Sequence, residues 1–232
     1  MLKINTSTFY SFLKKITLNG KIDECVLNFT PTGLRAMNAD RPKTTVVLGE
    51  LKAESFVEYE SIGKVGVRDT TLLLKILKGF KEDIEIEVVE NRLKMKDSSR
   101  KIECTLIEPD FISTKIDKTP NLTYDGGAVM SVDIWKRAFE NVATLNQSEL
   151  HVEIKNKSIV FTAGDSRFGK IVERQPIDYK NVKVSFGTVL KDVINVCDSE
   201  ITVKINDNYP ITIEEYWSGG SCKYIVAPIV ED

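Results

Sequence analysis

Two stretches of the chain align on one another without a gap. ECVLNFTPTGLRAMNAD, Glu24 to Asp40, superimposes on ELHVEIKNKSIVFTAGD, Glu149 to Asp165, placing Leu27 on Val152, Phe29 on Ile154, Leu34 on Ile159 and Asp40 on Asp165. Further along, KVGVRDTTLLLKILKGFKEDIEIEV, Lys64 to Val88, follows the pattern of NVKVSFGTVLKDVINVCDSEITVKI, Asn181 to Ile205, with Val67 opposite Val184, Leu73 opposite Leu190 and Ile84 opposite Ile201. A chain that repeats its own apolar pattern has to bury two similar cores. Its 232 residues divide into two units of roughly 110 residues, an ordinary domain size.

Within each copy, helix-period segments sit among strand-period ones. The first helix runs from Thr6 to Leu18 on an apolar stripe of Phe9, Phe12, Leu13 and Ile16, and Asn19-Gly20 stops it. The second, capped by Asp69 or Thr70, turns Leu72, Leu73, Ile76, Leu77 and Phe80 inward. A third begins after Ser131 with Ile134, Trp135, Ala138 and Val142, and a fourth uses Val189, Leu190, Val193, Ile194 and Cys197. Alternating runs such as Ile84-Glu85-Ile86-Glu87-Val88 and Ile201-Thr202-Val203-Lys204-Ile205 are strands with one wet face, as in antiparallel sheets. The fold class is therefore α+β, two similar domains each with two helices packed on antiparallel sheets. The domains span 1–108 and 128–232. Residues 109–127, with Pro109, Pro120 and Gly126-Gly127 and no sustained period, form the connector.

Charge is patterned rather than abundant. A formal net charge of −2 supplies no global attraction for nucleic acid, so any such contact has to be local. Lysines fall on the outward faces of the helices: Lys14 and Lys15 on the first, Lys75 and Lys78 on the second, Lys136 with Arg137 on the third, Lys191 on the fourth. Many outward strand positions, such as Glu85, Glu87, Glu214 and Glu215, are acidic instead. Helices collected on one side of a curved sheet would pool those lysines into a surface that attracts phosphates without reading bases.

Parts of an enzyme are not recognisable. His151 is the one histidine and falls at a strand position, and there is no phosphate-binding glycine loop and no carboxylate cluster at metal-ligand spacing. Cys25, Cys104, Cys197 and Cys222 are scattered without a CxxC pair, which predicts reduced thiols and no metal site. No apolar run approaches the length of a membrane span, and an intracellular location with no cofactor is expected.

The C-terminal residues YPITIEEYWSGGSCKYIVAPIVED, Tyr209 to Asp232, resemble the closing strands and tail of the PCNA family of DNA sliding clamps, whose ending pairs an aromatic-led strand with Ala-Pro and a final acid; Tyr224, Ile225, Val226, Ala227, Pro228, Val230 and Glu231 fit it. Val189-Leu190-Lys191-Asp192 is similar to a helix opening common in archaeal members. Gly33 to Asp40 resembles the family's "Gly-hydrophobic-x-x-Met-Asp" strand and Leu74 to Lys78 its "Lys-Ile-Leu-Lys" helix. The likeness spans essentially the whole chain. It departs from the pattern at Arg41-Pro42 and in a second domain trimmed before Asn181.

What the resemblance implies is a DNA-clamp fold closing into a homotrimeric ring, a processivity factor that encircles duplex DNA. Lys14, Lys15, Lys75, Lys78, Lys136 and Lys191 would then face DNA. A pocket of Met37, Ile116, Pro120, Leu122, Pro210, Ile225, Val226, Ala227, Pro228 and Ile229 would take the interacting peptides of polymerase, flap endonuclease and ligase, and a clamp loader would open the ring. Subunits would join by strand pairing between Lys101, Ile102, Cys104 and Leu106 of one chain and Phe168, Lys170 and Val172 of the next. The alternative is a subunit of a heterotrimeric or checkpoint-type clamp with other partners.

Overall fold

The structure is a computed structural model that describes residues 2–165, 167 and 169–229. The chain divides into two compact units: Met1–Thr119 with Tyr216–Cys222, and Pro120–Glu215 with Lys223–Asp232.

The first unit opens with β1 (Leu2–Asn5) and α1 (Thr6–Ile16), followed by β2 (Cys25–Thr30), β3 (Gly33–Ala39), β4 (Thr45–Lys52), β5 (Gly63–Val67), α2 (Thr70–Leu77), β6 (Asp83–Val89), β7 (Arg92–Lys96) and β8 (Lys101–Thr105). Two antiparallel sheets result, one in the order β1-β6-β7-β8 and one in the order β5-β2-β3-β4. Asn5 caps α1 by accepting hydrogen bonds from the amides of Ser7 and Thr8. The helix stops two residues short of the expected Leu18 because Leu18, Asn19 and Gly20 all take positive φ. Phe9, Phe12, Leu13 and Ile16 are buried as the period predicts.

The second helix differs from expectation. Asp69 does cap it, accepting from the Leu72 amide at 2.7 Å. However, Leu74 is buried and Leu72 is 50% exposed. The buried stripe is Thr70, Leu73, Leu74 and Leu77, spaced three, four and seven residues from its start, and that spacing leaves Leu72 on the opposite face. Three consecutive leucines, Leu72 to Leu74, with Ile76 beyond Lys75 as a half-buried flank, gave no unique helical phase.

The second unit repeats the plan with β9 (Ala128–Ser131), α3 (Val132–Thr144), β10 (Glu149–Lys155), β11 (Ser158–Asp165), β12 (Gly169–Pro176), β13 (Val182–Gly187), α4 (Thr188–Val196), β14 (Glu200–Lys204), β15 (Ile211–Trp217) and β16 (Gly220–Val226). Its sheets run β12-β11-β10-β13 and β16-β15-β14-β9. Trp135 of α3 is fully buried and meets Phe161 edge-on, ring centroids 4.9 Å apart. Among the described residues there are four α-helices, and none is long and apolar enough to cross a membrane.

The sequence repeat is a structural repeat down to its pairing. Leu27 pairs with Ala36 and Phe29 with Leu34 in the β2–β3 hairpin, and the aligned residues Val152 with Phe161 and Ile154 with Ile159 pair in the β10–β11 hairpin. On the other side the copies differ by two residues, Leu27 pairing with Val65 where Val152 pairs with Val184. A slip of two keeps every side chain on its face, so both cores survive it.

Candidate nucleic-acid and partner interfaces

The helices place most of the expected lysines at the surface. Lys75 and Lys78 are exposed on α2, Lys14 is half-buried on α1, and Lys191 is half-buried on α4. None of the four has a carboxylate partner among the described residues. Several strand cations do: Lys96 pairs with Glu85 at 2.8 Å and Lys204 with Glu214 at 2.9 Å. On α3, Arg137 is held by Glu173 of β12 at 2.8 Å, and the Lys136 ammonium donates to the Cys197 carbonyl at 3.2 Å, which ties it to the end of α4.

Lys15 departs from expectation. It is 4% exposed rather than outward-pointing, and its ammonium sits 5.5 Å from the centroid of the Trp217 ring. The cause is its spacing: three residues after Phe12 and next to Ile16, it lies on the core stripe of α1, where its aliphatic stem is buried and its charge meets an aromatic face. Its neighbour Lys14 keeps the surface position.

The connector is fastened within each unit. In the first, the Ala39 amide donates to the Thr114 carbonyl at 2.7 Å, Asn38 and Lys115 form an antiparallel bridge, and the Ser113 amide and hydroxyl both donate to the Glu24 carboxylate. Met37, half-buried on β3, has its sulfur 3.5 Å from the Thr119 hydroxyl, and Ile116 is half-buried. In the second unit, Pro120 is exposed while Leu122 and Pro210 are half-buried. Beyond β16, Ala227, Pro228 and Ile229 are half-buried, and the Ile229 amide donates to the Ser185 carbonyl at 2.8 Å. Ile225 and Val226, expected as pocket walls, are core residues at 5% and 0% exposure. Tyr224, Ile225 and Val226 are buried in succession, so the end of β16 is covered on both faces and offers no open apolar wall.

At the sheet ends, β8 and β12 each have one strand neighbour, β7 and β11 respectively. Lys101 and Lys170 are exposed, Val172 is 45% exposed, and Ile102 and Cys104 are half-buried. Leu106 lies past the end of β8 and is buried, its amide donating to the Asn91 carbonyl, so it belongs to the unit's own core. Phe168 lies outside the described residues.

No protein-family model matches the chain. It is 24% identical over 243 residues, covering 90% of this chain and 89% of the relative, to a "Probable DNA polymerase sliding clamp 1" of Paramecium bursaria Chlorella virus 1. Among solved structures, A. fulgidus PCNA with the C-terminal region of FEN-1 bound matches over 100% of both chains, with a TM-score of 0.84 at 21% identity. The chain has the PCNA clamp fold. PCNA from Entamoeba histolytica gives a TM-score of 0.84 at 14% identity over 99% of this chain and 98% of that one, and PCNA from Thermococcus kodakaraensis gives 0.83 at 17% over 99% and 100%.

Some residues fixing the connector of this clamp fold escaped the sequence. The Tyr124 hydroxyl donates to the Pro210 carbonyl at 2.7 Å and lies 2.8 Å from the buried Thr212 hydroxyl, and the Tyr124 ring meets Tyr209 edge-on. Burial pushes its phenol up to about 12. Tyr179 donates to the carbonyls of Gly126 and Ile205, and Asn206 donates to the Thr123 carbonyl. A lone tyrosine in an aperiodic segment carries no pattern that would have singled it out. His151 sits on β10 as expected, its Nδ1 2.6 Å from the Ser185 hydroxyl.

Proposed function

We propose that the chain is a DNA polymerase sliding clamp: a ring subunit whose helices face duplex DNA and whose partners attach through short peptides. The observation that carries this is a full-length clamp fold whose surface lysines Lys14, Lys75, Lys78 and Lys191 have no carboxylate partner among the described residues. Lysines so placed hold phosphates by charge alone, which gives salt-dependent affinity without sequence preference and leaves the ring free to move along the duplex. Lys15 is not one of these contacts; Lys136 contributes in part, since its ammonium also serves the end of α4.

Strand chemistry supports ring closure. β8 and β12 each present one row of unsatisfied backbone groups, a liability that pairing with another copy removes. Ile102 and Cys104 on one edge and Val172 on the other supply apolar contact, and Lys101 and Lys170 lie outward. The family resemblance assigns Met37, Ile116, Pro120, Leu122 and Pro210, with Ala227 to Ile229, to the surface that would take the aromatic and aliphatic anchors of polymerase, flap endonuclease and ligase. A loader is needed to open a closed ring around DNA. The protein is non-enzymatic and acts where DNA is replicated.

Static light scattering on the full chain tests closure: a mass of three times 26.1 kDa is expected, and a monomer at micromolar concentration would contradict it. Replacing Lys14, Lys75 and Lys78 together by Glu should abolish clamp-dependent processivity on a circular template while the trimer mass is kept. Unchanged processivity would remove these lysines from the DNA surface.

A further inference from the structure

We propose that Arg100 contacts the DNA phosphate backbone, as a cation lent to the exposed face of α2 by the turn between β7 and β8. The assignment rests on the sliding-clamp function proposed above. The turn is held by Asp97, whose carboxylate accepts from the amides of Ser99 and Arg100 at 2.8 and 2.7 Å. From there the Arg100 side chain crosses to the end of α2, where its guanidinium lies 5.5 Å from the centroid of the buried Phe80 ring.

Gly79 makes this approach possible. A methyl group at position 79 would stand 1.6 Å from Nη1 and 2.7 Å from Cζ of Arg100. Gly79 does not have the positive φ that would call for glycine on conformational grounds. A side chain at position 79 would displace the exposed, flexible guanidinium rather than strain the backbone, and with glycine there the space is filled by a group from another element. Position 79 comes four residues after Lys75 and next to Lys78, so it continues the lysine side of α2 by one turn. Arg100 therefore supplies the cation that the helix's own sequence omits there.

Two further features suit a phosphate ligand. Arg100 has no carboxylate partner among the described residues, so its charge is not spent internally. The Phe80 ring, 5.5 Å away, restrains where the guanidinium sits, and the guanidinium's donor fork matches phosphate oxygens, which lowers the ordering cost of a contact. A purely structural role is the competitor, because a cation beside the last carbonyls of α2 is also favoured by the helix dipole. The two roles give different readouts.

The test is equilibrium binding of the full chain to a 40-base-pair linear duplex, with affinity measured across a salt series. Each phosphate contact contributes about 0.9 to the slope of log affinity against log salt. Arg100→Gln should make the slope shallower by about that amount for every copy engaged, and Arg100→Lys should keep most of it. Gly79→Ala, which displaces the guanidinium while preserving its charge, should lower affinity in the same direction as Arg100→Gln. If Arg100→Gln lowers the melting temperature but leaves the slope unchanged, while Lys75→Gln makes it shallower, Arg100 is structural and the proposal fails. Loss of trimer mass in Arg100→Gln would overturn it too, by assigning the guanidinium to another copy. If Lys75→Gln and Lys78→Gln also leave the slope unchanged, the DNA-facing role of α2 itself fails.

Discussion

Lys14 and Lys15 are neighbours in sequence with opposite environments, so they should respond in opposite ways to the same substitution. Lys15 is 4% exposed with its ammonium over Trp217. Truncation to Ala removes three buried methylenes at about 0.8 kcal/mol each. It also removes a desolvated cation–π contact of about 1 kcal/mol, so Lys15→Ala should cost about 3 kcal/mol. Lys15→Met keeps most of the stem and loses the charge, so it should cost less than Lys15→Ala. Unfolding entropy near 2.1 cal/mol/K per residue makes 3 kcal/mol worth roughly 10 °C in a unit of this size. Lys14→Ala should stay within about 0.5 kcal/mol of the parent, as surface changes do. Urea unfolding of the three variants gives the energies, and the DNA salt series gives the complementary result, with Lys14→Gln shallower and Lys15→Met unchanged. If Lys15→Ala unfolds with the parent, or if it is Lys15→Met that flattens the salt dependence, the burial argument is wrong.

Leu74→Ala should destabilise by about 2–5 kcal/mol as a buried leucine, and Leu72→Ala by under about 0.5 kcal/mol; the reverse order in a denaturant titration would restore the helical phase expected from sequence. Tyr124 should titrate near 12 by phenolate absorbance, against an ordinary 10. Because its folded value is raised, the stability it contributes is complete below pH 10 and is lost as pH rises from 10 towards 12; a phenolate midpoint at 10 would show that the Tyr124 hydroxyl is not shielded from water as the structure has it. Val172→Lys, which places charge on the exposed edge of β12, should shift light-scattering mass from trimer to monomer at micromolar concentration with the unfolding midpoint of the chain unchanged, and retention of full trimer mass would remove that edge from the interface.

The parts of this fold legible in the sequence were those with redundant signals. The segments that form the β2–β3 and β10–β11 hairpins were matched to one another by the repeat, although their strand pairing was not specified by it. Helix α1 was placed by its stripe and by Asn19-Gly20. The second helix was located by Asp69 but misphased, because Leu72 to Leu74 are chemically equal and only packing chooses among them. Lys15 was misread for a related reason. A lysine's long stem lets it occupy a core stripe, and the charge that marks it as exposed finds an aromatic face more than two hundred positions away in the chain. Ile225 and Val226 were assigned to the pocket by the family resemblance alone, and the apolar run they belong to does not reveal whether one face or both are covered. Arg100 and Tyr124 were invisible for want of any local pattern, since their partners Gly79, Phe80, Pro210 and Thr212 come from other elements.

Charge placement joins these observations. Helices that lined a channel but carried internally paired cations would offer phosphate only the residue of a satisfied ion pair, whereas unpaired lysines carry a standing repulsion that folding has to absorb. In this chain such cations come from several elements: Lys14 on α1, Lys75 and Lys78 on α2, Lys191 on α4, and the Arg100 guanidinium over Gly79 just past α2. Lys78 is further settled by the Tyr10 ring, 5.7 Å from its ammonium, which holds a cation without neutralising it. Aromatic rather than acidic partners for Lys78 and Arg100 leave the charge available to an external anion, as the proposed DNA contact requires.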